Sequence, residues 1–436
     1  MLTAYLPHNL FKSSFEEFIN SDPQLHALNQ LEYQHSSNWW AKLSFNTPGI
    51  YILTGGRQIG KSTSCKLLIK HCLLEKIFAP QDILYLPCDE IYDAKQLGQL
   101  LRLFLDANAG RMFLLIIDEI TFVQHWDRVI KSLADEGYFT RGMCILTGSD
   151  TLILKEATMR FPGRRGKAAQ TDFHLYPLSF SEYVHLKNTK SNFTLEKNFQ
   201  DYLQCGGYLR AINDFAEKGE VLQSTFLTYE QWIRGDFLRQ GKKEDYLLAL
   251  LHALLTVGVS PISFSSLTQK IGMMSKETCI DYIKLLERID VLIDLLAFDQ
   301  NKKQGSPKKD RKFHFFDPFI QRTLYQWLLR DGLLNTFDFE ASLVEACVAS
   351  HCYRLGKTFY FKGNGEIDII WLIEKKIYPI EIKWSNQIRP NDLKSLKQFS
   401  NSLILGKTAQ TGFVDSVQLL PVYQFLYDMQ EIISLE

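Results

Sequence analysis

The chain of 436 residues has little that would attach it to a membrane or place it in an oxidising compartment. Its most apolar run, residues 247–259, is too short to span a bilayer and contains His252. The segment before residue 15 lacks the basic and apolar regions of a signal peptide. The 8 cysteines include no C-x-x-C pair, which argues against a zinc ribbon and suits a reduced protein. We therefore expect a soluble cytoplasmic protein with no membrane partner.

The chain also lacks a net charge, because 49 basic and 49 acidic residues balance. Without a global positive field, nucleic acid can be held only by local basic patches. No internal repeat or low-complexity tract is present, which argues against solenoid and fibrous folds. The hydrophobic content of 46% is sufficient for several cores, and the length predicts roughly two to four domains.

A glycine-rich segment at residues 55–62, Gly-Gly-Arg-Gln-Ile-Gly-Lys-Ser, has the G-x-x-x-x-G-K-[ST] pattern of a phosphate-binding loop. The apolar segment before it predicts a strand, and the segment after it predicts a helix. Backbone N–H groups and a helix N-terminus in this arrangement bind phosphate oxygens. We expect Lys61 to reach the β- and γ-phosphates of ATP and the Ser62 hydroxyl to bind Mg²⁺.

The acidic partner of this loop is predicted at residues 114–119, Leu-Leu-Ile-Ile-Asp-Glu. Four apolar residues before two carboxylates indicate a buried strand that ends at the ligand-binding edge of an open α/β sheet. We expect Asp118 to bind Mg²⁺ and Glu119 to polarise the attacking water, so that Lys61 and Glu119 are the catalytic residues. Ser149 either orients that water or lies at a solvated strand end.

The nucleotide site therefore has a defined set of predicted residues. They are Gly55, Gly56, Arg57, Gln58, Ile59, Gly60, Lys61, Ser62, Thr63, Asp118 and Ser149. Arg160, Arg164 and Arg165 follow this region, and one of them is either an arginine finger or part of a solvated basic turn.

Two apolar segments near the C-terminus, residues 366–373 and 377–384, predict a β-hairpin that carries Asp368, Glu381 and Lys383. Restriction-endonuclease-like nucleases have this arrangement, in which carboxylates bind one or two divalent metals and the lysine positions or activates water. Glu345 on the preceding helix matches the additional acidic residue often seen in that fold, and Gln398 on the next helix is a candidate for a further polar contact. Asp368, Glu381 and Lys383 are thus predicted catalytic residues. Glu345, Asp368 and Glu381 are predicted ligands of Mg²⁺ or Mn²⁺. The alternative is an exposed strand that binds no metal, because acidic and lysine residues also alternate on many such strands.

A basic segment precedes this hairpin and is predicted to be a turn. Its residues are Lys302, Lys303, Lys308, Lys309, Arg311 and Lys312. The order of helix, helix-turn-helix and hairpin in residues 240–330 is that of a winged helix, in which such a patch contacts DNA phosphates. A flexible, solvated hairpin tip is the alternative.

The order of several segments resembles one protein family. They are the phosphate-binding loop, Ile-Asp-Glu at 117–119, Leu-Thr-Gly-Ser at 146–149, Tyr-Pro-Leu-Ser-Phe-Ser-Glu at 176–182, Cys-Gly-Gly-Tyr at 205–208 and Phe-Phe-Asp at 315–317. The chain resembles prokaryotic AAA-type ATPases that carry a winged helix and a C-terminal restriction-endonuclease-like domain of unknown function. The resemblance implies an α/β fold, with an AAA-like P-loop NTPase parallel sheet, a winged-helix module and a PD-(D/E)xK-like α/β domain.

The pattern of strands and helices along the chain predicts an N-terminal helical lead-in at 1–45, the ATPase core at 46–180, a helical lid or linker at 181–239, the winged helix at 240–330 and the nuclease-like domain at 331–436. We expect an ATP-binding, Mg²⁺-dependent ATPase coupled to a nuclease-like, DNA-binding C-terminal domain. A non-catalytic nucleotide switch that recruits a protein partner is the alternative. The resemblance also allows for a homo-oligomer, whose subunit number the sequence does not specify.

Overall fold

The alternating strands and helices of the first part of the chain form a parallel sheet, as the sequence predicts. In a computed structural model, the strands are β1 (Gly49–Gly55), β2 (Ile83–Pro87), β3 (Leu114–Asp118), β4 (Met143–Gly148) and β5 (Asp172–Leu175). They pair in the order β2-β3-β4-β1-β5, and every pair is parallel. Because β4 lies between β1 and β3, the phosphate-binding loop and the Asp-Glu pair leave the sheet on strands that are not neighbours.

The structure describes residues 7–35, 37–148, 154, 163–188, 194–332, 339–363, 365–384, 390–407 and 411–434. The chain divides into unit 1, Met1–Tyr176, and unit 2, Pro177–Glu436. Ser149 and Arg160, which were predicted to bear on the nucleotide site, lie outside the described residues. Of the helices that the structure describes, none combines the length and apolarity needed to cross a bilayer.

Helices cover both faces of the sheet in unit 1. They are α1 (Phe15–Ser21), α2 (Pro23–Asn29), α3 (Lys61–Leu74), α4 (Ala94–Ala107) and α5 (Trp126–Asp135). Ile50 and Ile52 of β1 belong to one hydrophobic cluster, whereas Tyr51 and Leu53 belong to another. Successive side chains of a strand point to opposite faces, so one apolar segment contributes to both cores.

The N-terminal segment is part of the core of unit 1. Phe11, Phe18 and Trp39 lie in the same hydrophobic cluster as the Tyr51 face of β1. The Asn9 side chain pairs with the edge strand β2, because its amide donates to the Tyr85 carbonyl and its oxygen accepts from the Tyr85 N–H, each at 2.8 Å. A strand edge satisfied in this way is a poor template for another chain.

Unit 2 begins with helical sequence and ends in a mixed sheet. Its helices are α6 (Phe180–Asn188), α7 (Leu195–Cys205), α8 (Leu209–Lys218), α9 (Gln223–Arg239), α10 (Glu244–Val257), α11 (Phe264–Ile271), α12 (Lys276–Arg288), α13 (Pro318–Arg330), α14 (Glu340–Leu355), α15 (Pro390–Leu396) and α16 (Val422–Ser434). Its strands are β6 (Leu292–Asp299), β7 (Gln304–Phe315), β8 (Lys357–Lys362), β9 (Glu366–Ile373), β10 (Lys376–Lys383), β11 (Leu403–Gly406), β12 (Gly412–Val414) and β13 (Val417–Pro421). The strand order is β12-β13-β11-β10-β9-β8-β6-β7.

Three helices followed by the antiparallel hairpin β6–β7 occupy residues 244–315. One part of the sequence prediction was wrong here, because the basic segment extends along β7 and is not confined to a turn. Lys308 and Lys309 are exposed on this strand, whereas Lys312 is buried. Arg311 forms an ion pair with Asp294, so it also faces the protein.

Segments that are far apart in the sequence meet beside α7. The Asp317 carboxylate accepts a hydrogen bond from the Gly207 N–H at 3.0 Å and caps α13 through the Phe319 N–H at 2.9 Å. The Leu178 N–H donates to the Gly207 carbonyl at 2.8 Å. A Cβ on Gly207 would overlap the Leu178 carbonyl oxygen, and one on Gly206 would overlap the Asp317 carboxylate. This junction therefore requires glycine at positions 206 and 207 and an acid at position 317 that can cap α13.

We expect Gly207→Ala to lower the free energy of unfolding by about 1–3 kcal/mol, because the added methyl group must displace backbone atoms. Gly235→Ala is the matched control, since a Cβ there meets no atom within 4 Å and the residue lies inside α9. The control is expected to be neutral or stabilising. Thermal unfolding of the two variants measures the difference. Equal midpoints would contradict this account of the junction.

Candidate functional sites

The phosphate-binding loop joins β1 to the N-terminus of α3. Gln58 (φ 59°) and Gly60 (φ 87°) have left-handed backbone conformations, which turn the loop into the helix. The Lys61 ammonium donates to the Gly55 and Gly56 carbonyls at 3.0 Å each. It also lies 3.4 Å from a carboxylate oxygen of Glu119. The predicted catalytic pair, Lys61 and Glu119, is therefore brought together.

Asp118 is held by three hydroxyl groups from three different elements. Ser62 donates to its Oδ2 at 2.6 Å and Tyr85 donates to the same oxygen at 2.5 Å. Thr147 donates a short hydrogen bond to Oδ1. Asp118 is only 5% exposed, so these donors replace the water that a carboxylate would otherwise bind. Ser62 and Asp118, which were each predicted to bind Mg²⁺, therefore lie beside each other.

Glu119 has a backbone conformation that positions its side chain. Its φ is 51°, which is uncommon for a residue other than glycine, and its N–H donates to the Thr147 hydroxyl at 2.9 Å. Thr147 thus contacts both acidic residues of the site. The sequence indicated a hydroxyl at the end of β4, but it did not indicate that this hydroxyl binds the Asp118 carboxylate and the Glu119 N–H.

The two described arginines after β4 form ion pairs within unit 1. Arg165 makes a bidentate contact with Asp172, with both distances at 2.9 Å. Arg164 forms a short ion pair with Asp135. Both side chains therefore have a local partner on the AAA-like sheet and its helices.

The predicted hairpin residues of unit 2 also converge. Strands β9 and β10 are antiparallel, and Ile369 pairs with Ile380. An Asp368 carboxylate oxygen accepts from the Ile382 N–H at 2.9 Å, and the Asp368 N–H donates to Glu381 at 3.4 Å. Lys383 lies 2.8 Å from Glu381. Gln398 was predicted on a helix, but α15 ends at Leu396 and Gln398 is exposed beyond it.

The centre of this acidic cluster contains an ammonium group that the sequence had assigned to DNA. The Lys312 Nζ lies 2.9 Å from Glu366, 3.1 Å from Asp368 and 3.1 Å from Glu345. The Lys312 side chain is 1% exposed, so it cannot contact a phosphate backbone in this arrangement. The predicted metal ligands Glu345, Asp368 and Glu381 are thus grouped beside a lysine.

Burial and crowding alter the ionisation of this cluster. Burial, followed by the charge of Asp368, raises the pKa of both Glu345 and Glu381. Burial by itself lowers the pKa of Lys312, but its carboxylate neighbours outweigh burial and the pKa is raised. Across the described ranges, no group of three or more His, Cys, Asp or Glu side chains is arranged to hold a metal ion. The residues present fit an ammonium ion better than a divalent metal.

Comparison with known proteins agrees with the geometry of unit 1. Residues 47–184 match a family model described as an AAA domain, and they contain the loop, Asp118 and Glu119. This region is an AAA-type P-loop domain. Residues 196–331 and 340–425 match two models for domains of unknown function, DUF8612 and DUF4143.

Two relatives that are similar over most of this chain are each described as an uncharacterized protein. One from Haemophilus influenzae is 27% identical over 402 residues, which covers 87% of this chain and 95% of the relative. One from Methanocaldococcus jannaschii is 25% identical over 401 residues, covering 82% and 80% respectively. Among solved structures, a Walker-type ATPase of Pyrococcus abyssi is similar with a TM-score of 0.45 and 12% identity, covering 63% of this chain and 91% of that chain. A similarity this low does not bear on function.

Tyr85 is a residue of the AAA domain that the sequence did not single out. Its hydroxyl reaches Asp118 from β2, and its backbone is held by Asn9. Burial, followed by the charge of Asp118, keeps the pKa of Tyr85 well above its ordinary value, so the phenol is a neutral donor. The only signal in the sequence is a phenol within an otherwise apolar strand. Its contact with Asp118 depends on the pairing of β2 with β3.

We expect Tyr85→Phe to lower kcat for ATP hydrolysis about tenfold, because a hydrogen bond to a charged group contributes about 1.5–3 kcal/mol. The Mg²⁺ concentration for half-maximal rate should rise, since Asp118 would be less well oriented. Tyr51→Phe removes a hydrogen bond to the Thr47 carbonyl elsewhere on the sheet and is the matched control. Steady-state rates across a Mg²⁺ series distinguish the variants. An equal loss in Tyr51→Phe would exclude a positioning role for Tyr85.

Proposed function

We propose that this protein binds ATP with Mg²⁺ and hydrolyses it in the AAA domain, and that unit 2 is a nuclease-like module that binds DNA. The observation that carries the first part is the grouping of four side chains at one sheet edge. The Ser62 hydroxyl lies 2.6 Å from Asp118, and the Lys61 ammonium lies 3.4 Å from Glu119. This combination of a cation, a hydroxyl and two carboxylates is the set that phosphoryl transfer needs.

Each side chain has a distinct role in the proposed reaction. The Ser62 hydroxyl and the Asp118 carboxylate are oxygen donors of the kind that Mg²⁺ prefers, and Mg²⁺ when bound supplies positive charge to the phosphates. Lys61 exchanges its loop carbonyl contacts for phosphate oxygens. Glu119 orients the attacking water and accepts its proton.

We expect Lys61→Ala to lower ATP turnover at least a hundredfold, because it removes the cation that stabilises the phosphate charge. Glu119→Gln should lower turnover by about 10²–10⁴-fold while ATP still binds, because only the base is lost. Lys70→Ala, on the same helix, is the control and should retain activity. Turnover by Lys61→Ala at the wild-type rate would show that the nucleotide site is misassigned.

The second part of the proposal is supported by the helix and hairpin order in unit 2. Helices α10, α11 and α12 precede the hairpin β6–β7, and the isolated bridge between Ile262 and Arg311 ties the segment before α11 to β7. This is the order expected of a winged helix, a fold that places a helix in the major groove and a hairpin near the backbone. The exposed cations of the hairpin are Lys302, Lys303, Lys308 and Lys309.

We expect the double variant Lys308→Ala with Lys309→Ala to bind DNA more weakly, and by the same factor for every DNA sequence. Two lost phosphate contacts should reduce the slope of log K against log[salt] by about 1.8. Lys95→Ala with Lys131→Ala, which removes two exposed lysines of unit 1, is the charge-matched control. Fluorescence anisotropy with labelled duplex across a salt series measures both effects. An unchanged slope would rule out this patch as the DNA contact.

The antiparallel strands β9 and β10, with Asp368, Glu381 and Lys383 grouped, support a PD-(D/E)xK-like fold for the C-terminal region. Lys312 favours binding over metal-dependent cleavage, because its ammonium group already pairs with two of the carboxylates that a metal would need. Incubation of the wild-type protein with duplex, single-stranded and branched DNA in Mg²⁺ or Mn²⁺ tests this directly. Cleavage that Asp368→Ala abolishes would overturn the binding assignment.

A nucleotide switch that recruits a protein partner is the second candidate function. The balanced net charge favours it over a general polyanion binder. In that case, the full chain would bind no DNA in either nucleotide state. Glu119→Gln would retain a partner in the presence of ATP, and Lys61→Ala would not.

A further inference from the structure

A fully buried lysine follows the phosphate-binding loop on α3. Lys66 lies about one helical turn after Ser62, and its side chain is 0% exposed. A lysine is almost never buried to this extent unless its charge is paired. The partners of Lys66 therefore indicate what this charge does in unit 1.

The N-terminal segment, residues 7–29, supplies a carboxylate and a carbonyl for this ammonium group. The Lys66 Nζ lies 2.8 Å from the Asp22 carboxylate and donates to the His8 carbonyl at 2.5 Å. Asp22 is itself fixed, because its carboxylate caps α2 by accepting from two backbone N–H groups. Its side chain is 1% exposed, so the ion pair is shielded from water. The ammonium group is thus held in one position by the segment that precedes β1.

In this position the ammonium group lies over the face of the Tyr85 ring. The Lys66 Nζ is 4.0 Å from the ring centroid, which is within the range of a cation–π interaction. The hydroxyl of the same ring donates to the Asp118 Oδ2 at 2.5 Å. A cation over the ring draws electron density from the phenol, so the hydroxyl becomes a stronger donor. The charge of Lys66 therefore has a path to Asp118 through Tyr85.

The N-terminal segment holds Tyr85 by a second contact. The Asn9 side chain pairs with the N–H and the carbonyl of Tyr85, each at 2.8 Å. The main chain and the ring of Tyr85 are thus fixed by the same segment. A buried ion pair is weak evidence for stability, because desolvation offsets much of its attraction. Apolar side chains could fill the same space, so packing by itself does not require a charge beside Tyr85.

We propose that the N-terminal segment is part of the nucleotide site, and that Lys66 is a positioning residue that acts through Tyr85 on Asp118. This inference rests on the proposed ATP hydrolysis and adds a role for residues 8–22 in turnover. The ammonium group holds the Tyr85 ring in place and strengthens its hydroxyl as a donor. Asp118 is thereby kept in its orientation beside Ser62, where both residues are available to Mg²⁺.

Steady-state turnover of a variant that lacks the ion pair tests the proposal. Asp22→Asn with Lys66→Met removes both charges together, and asparagine still caps a helix, so we expect this protein to fold. We expect kcat to fall about fivefold and the Mg²⁺ concentration for half-maximal rate to rise about threefold. Arg111→Met with Asp82→Asn, which removes an ion pair beside the start of β2, is the matched control and should retain wild-type values. A folded double variant of Asp22 and Lys66 with wild-type values would overturn the proposal.

The same substitutions in a Tyr85→Phe background separate positioning from a structural role. Phenylalanine keeps the ring but lacks the hydroxyl, so the charge of Lys66 no longer has a path to Asp118. Removal of the ion pair should then cause no further loss of kcat. An equal loss in both backgrounds would show that Lys66 does not act through Tyr85.

Asp22→Asn by itself supplies a test that does not depend on the double variant. Burial lowers the pKa of Lys66, whereas the contact with Asp22, followed by the charges of Asp118 and Cys65, raises it. The Tyr85 phenol stays neutral, because its pKa is held well above its ordinary value. Without the Asp22 charge, the Lys66 ammonium loses its proton at a lower pH. We therefore expect kcat of Asp22→Asn to decline in the alkaline range at a lower pH than kcat of wild type, and coincident alkaline limbs would overturn the proposal.

Binding of a fluorescent ATP analogue separates this inference from the proposed function. A wild-type protein that does not hydrolyse ATP would contradict the proposed function, but the affinity that the analogue gains from Mg²⁺ still reports on Asp118. That gain should be about threefold smaller in the double variant of Asp22 and Lys66 than in wild type. An equal gain in the two proteins would overturn the inference.

Discussion

Both units bury carboxylates, and a buried carboxylate is tolerated only where hydrogen bonds or an opposite charge replace its water. In unit 1, Asp118 is surrounded by three hydroxyl donors, and Asp22 forms an ion pair with the fully buried Lys66 at 2.8 Å. In unit 2, Asp317 is held by backbone N–H groups, and three acids of the acidic cluster pair with Lys312. Each of these buried acids therefore packs against a group that donates a hydrogen bond to it or carries the opposite charge.

The kind of donor decides what each site can do. A hydroxyl such as that of Ser62 is neutral, so it can turn its lone pairs toward a metal without leaving a buried charge behind. An ammonium such as that of Lys312 already carries a charge opposite to that of the carboxylates. Two groups of carboxylates that look alike in the sequence therefore differ in chemistry. The acid of the AAA domain has neutral hydroxyl donors, whereas the acids of the cluster in unit 2 pair with a lysine.

The need of a buried carboxylate for hydrogen-bond donors also explains two segments of the family pattern that have no evident role in catalysis. The glycines of Cys-Gly-Gly-Tyr allow the Asp317 carboxylate to approach, and the acid of Phe-Phe-Asp supplies that carboxylate. Burial raises the pKa of Asp317 to about 6, even though backbone N–H groups stabilise its charged form. These residues stabilise the junction between α7 and α13 and need no ligand to account for them.

Local patterns in the sequence were sufficient for the phosphate-binding loop, the strand that ends in Asp118 and the hairpin that carries Asp368 and Glu381, because each depends on neighbours along the chain. The alternation of Lys312 and His314 along β7 could have indicated an inward face, but the surrounding lysines suggested a basic turn. Contacts of Tyr85 with Asp118 and of Lys312 with Asp368 join different strands and depend on strand order and register. Those are set by the packing of the whole sheet, so only the tertiary structure decided which charge meets which partner.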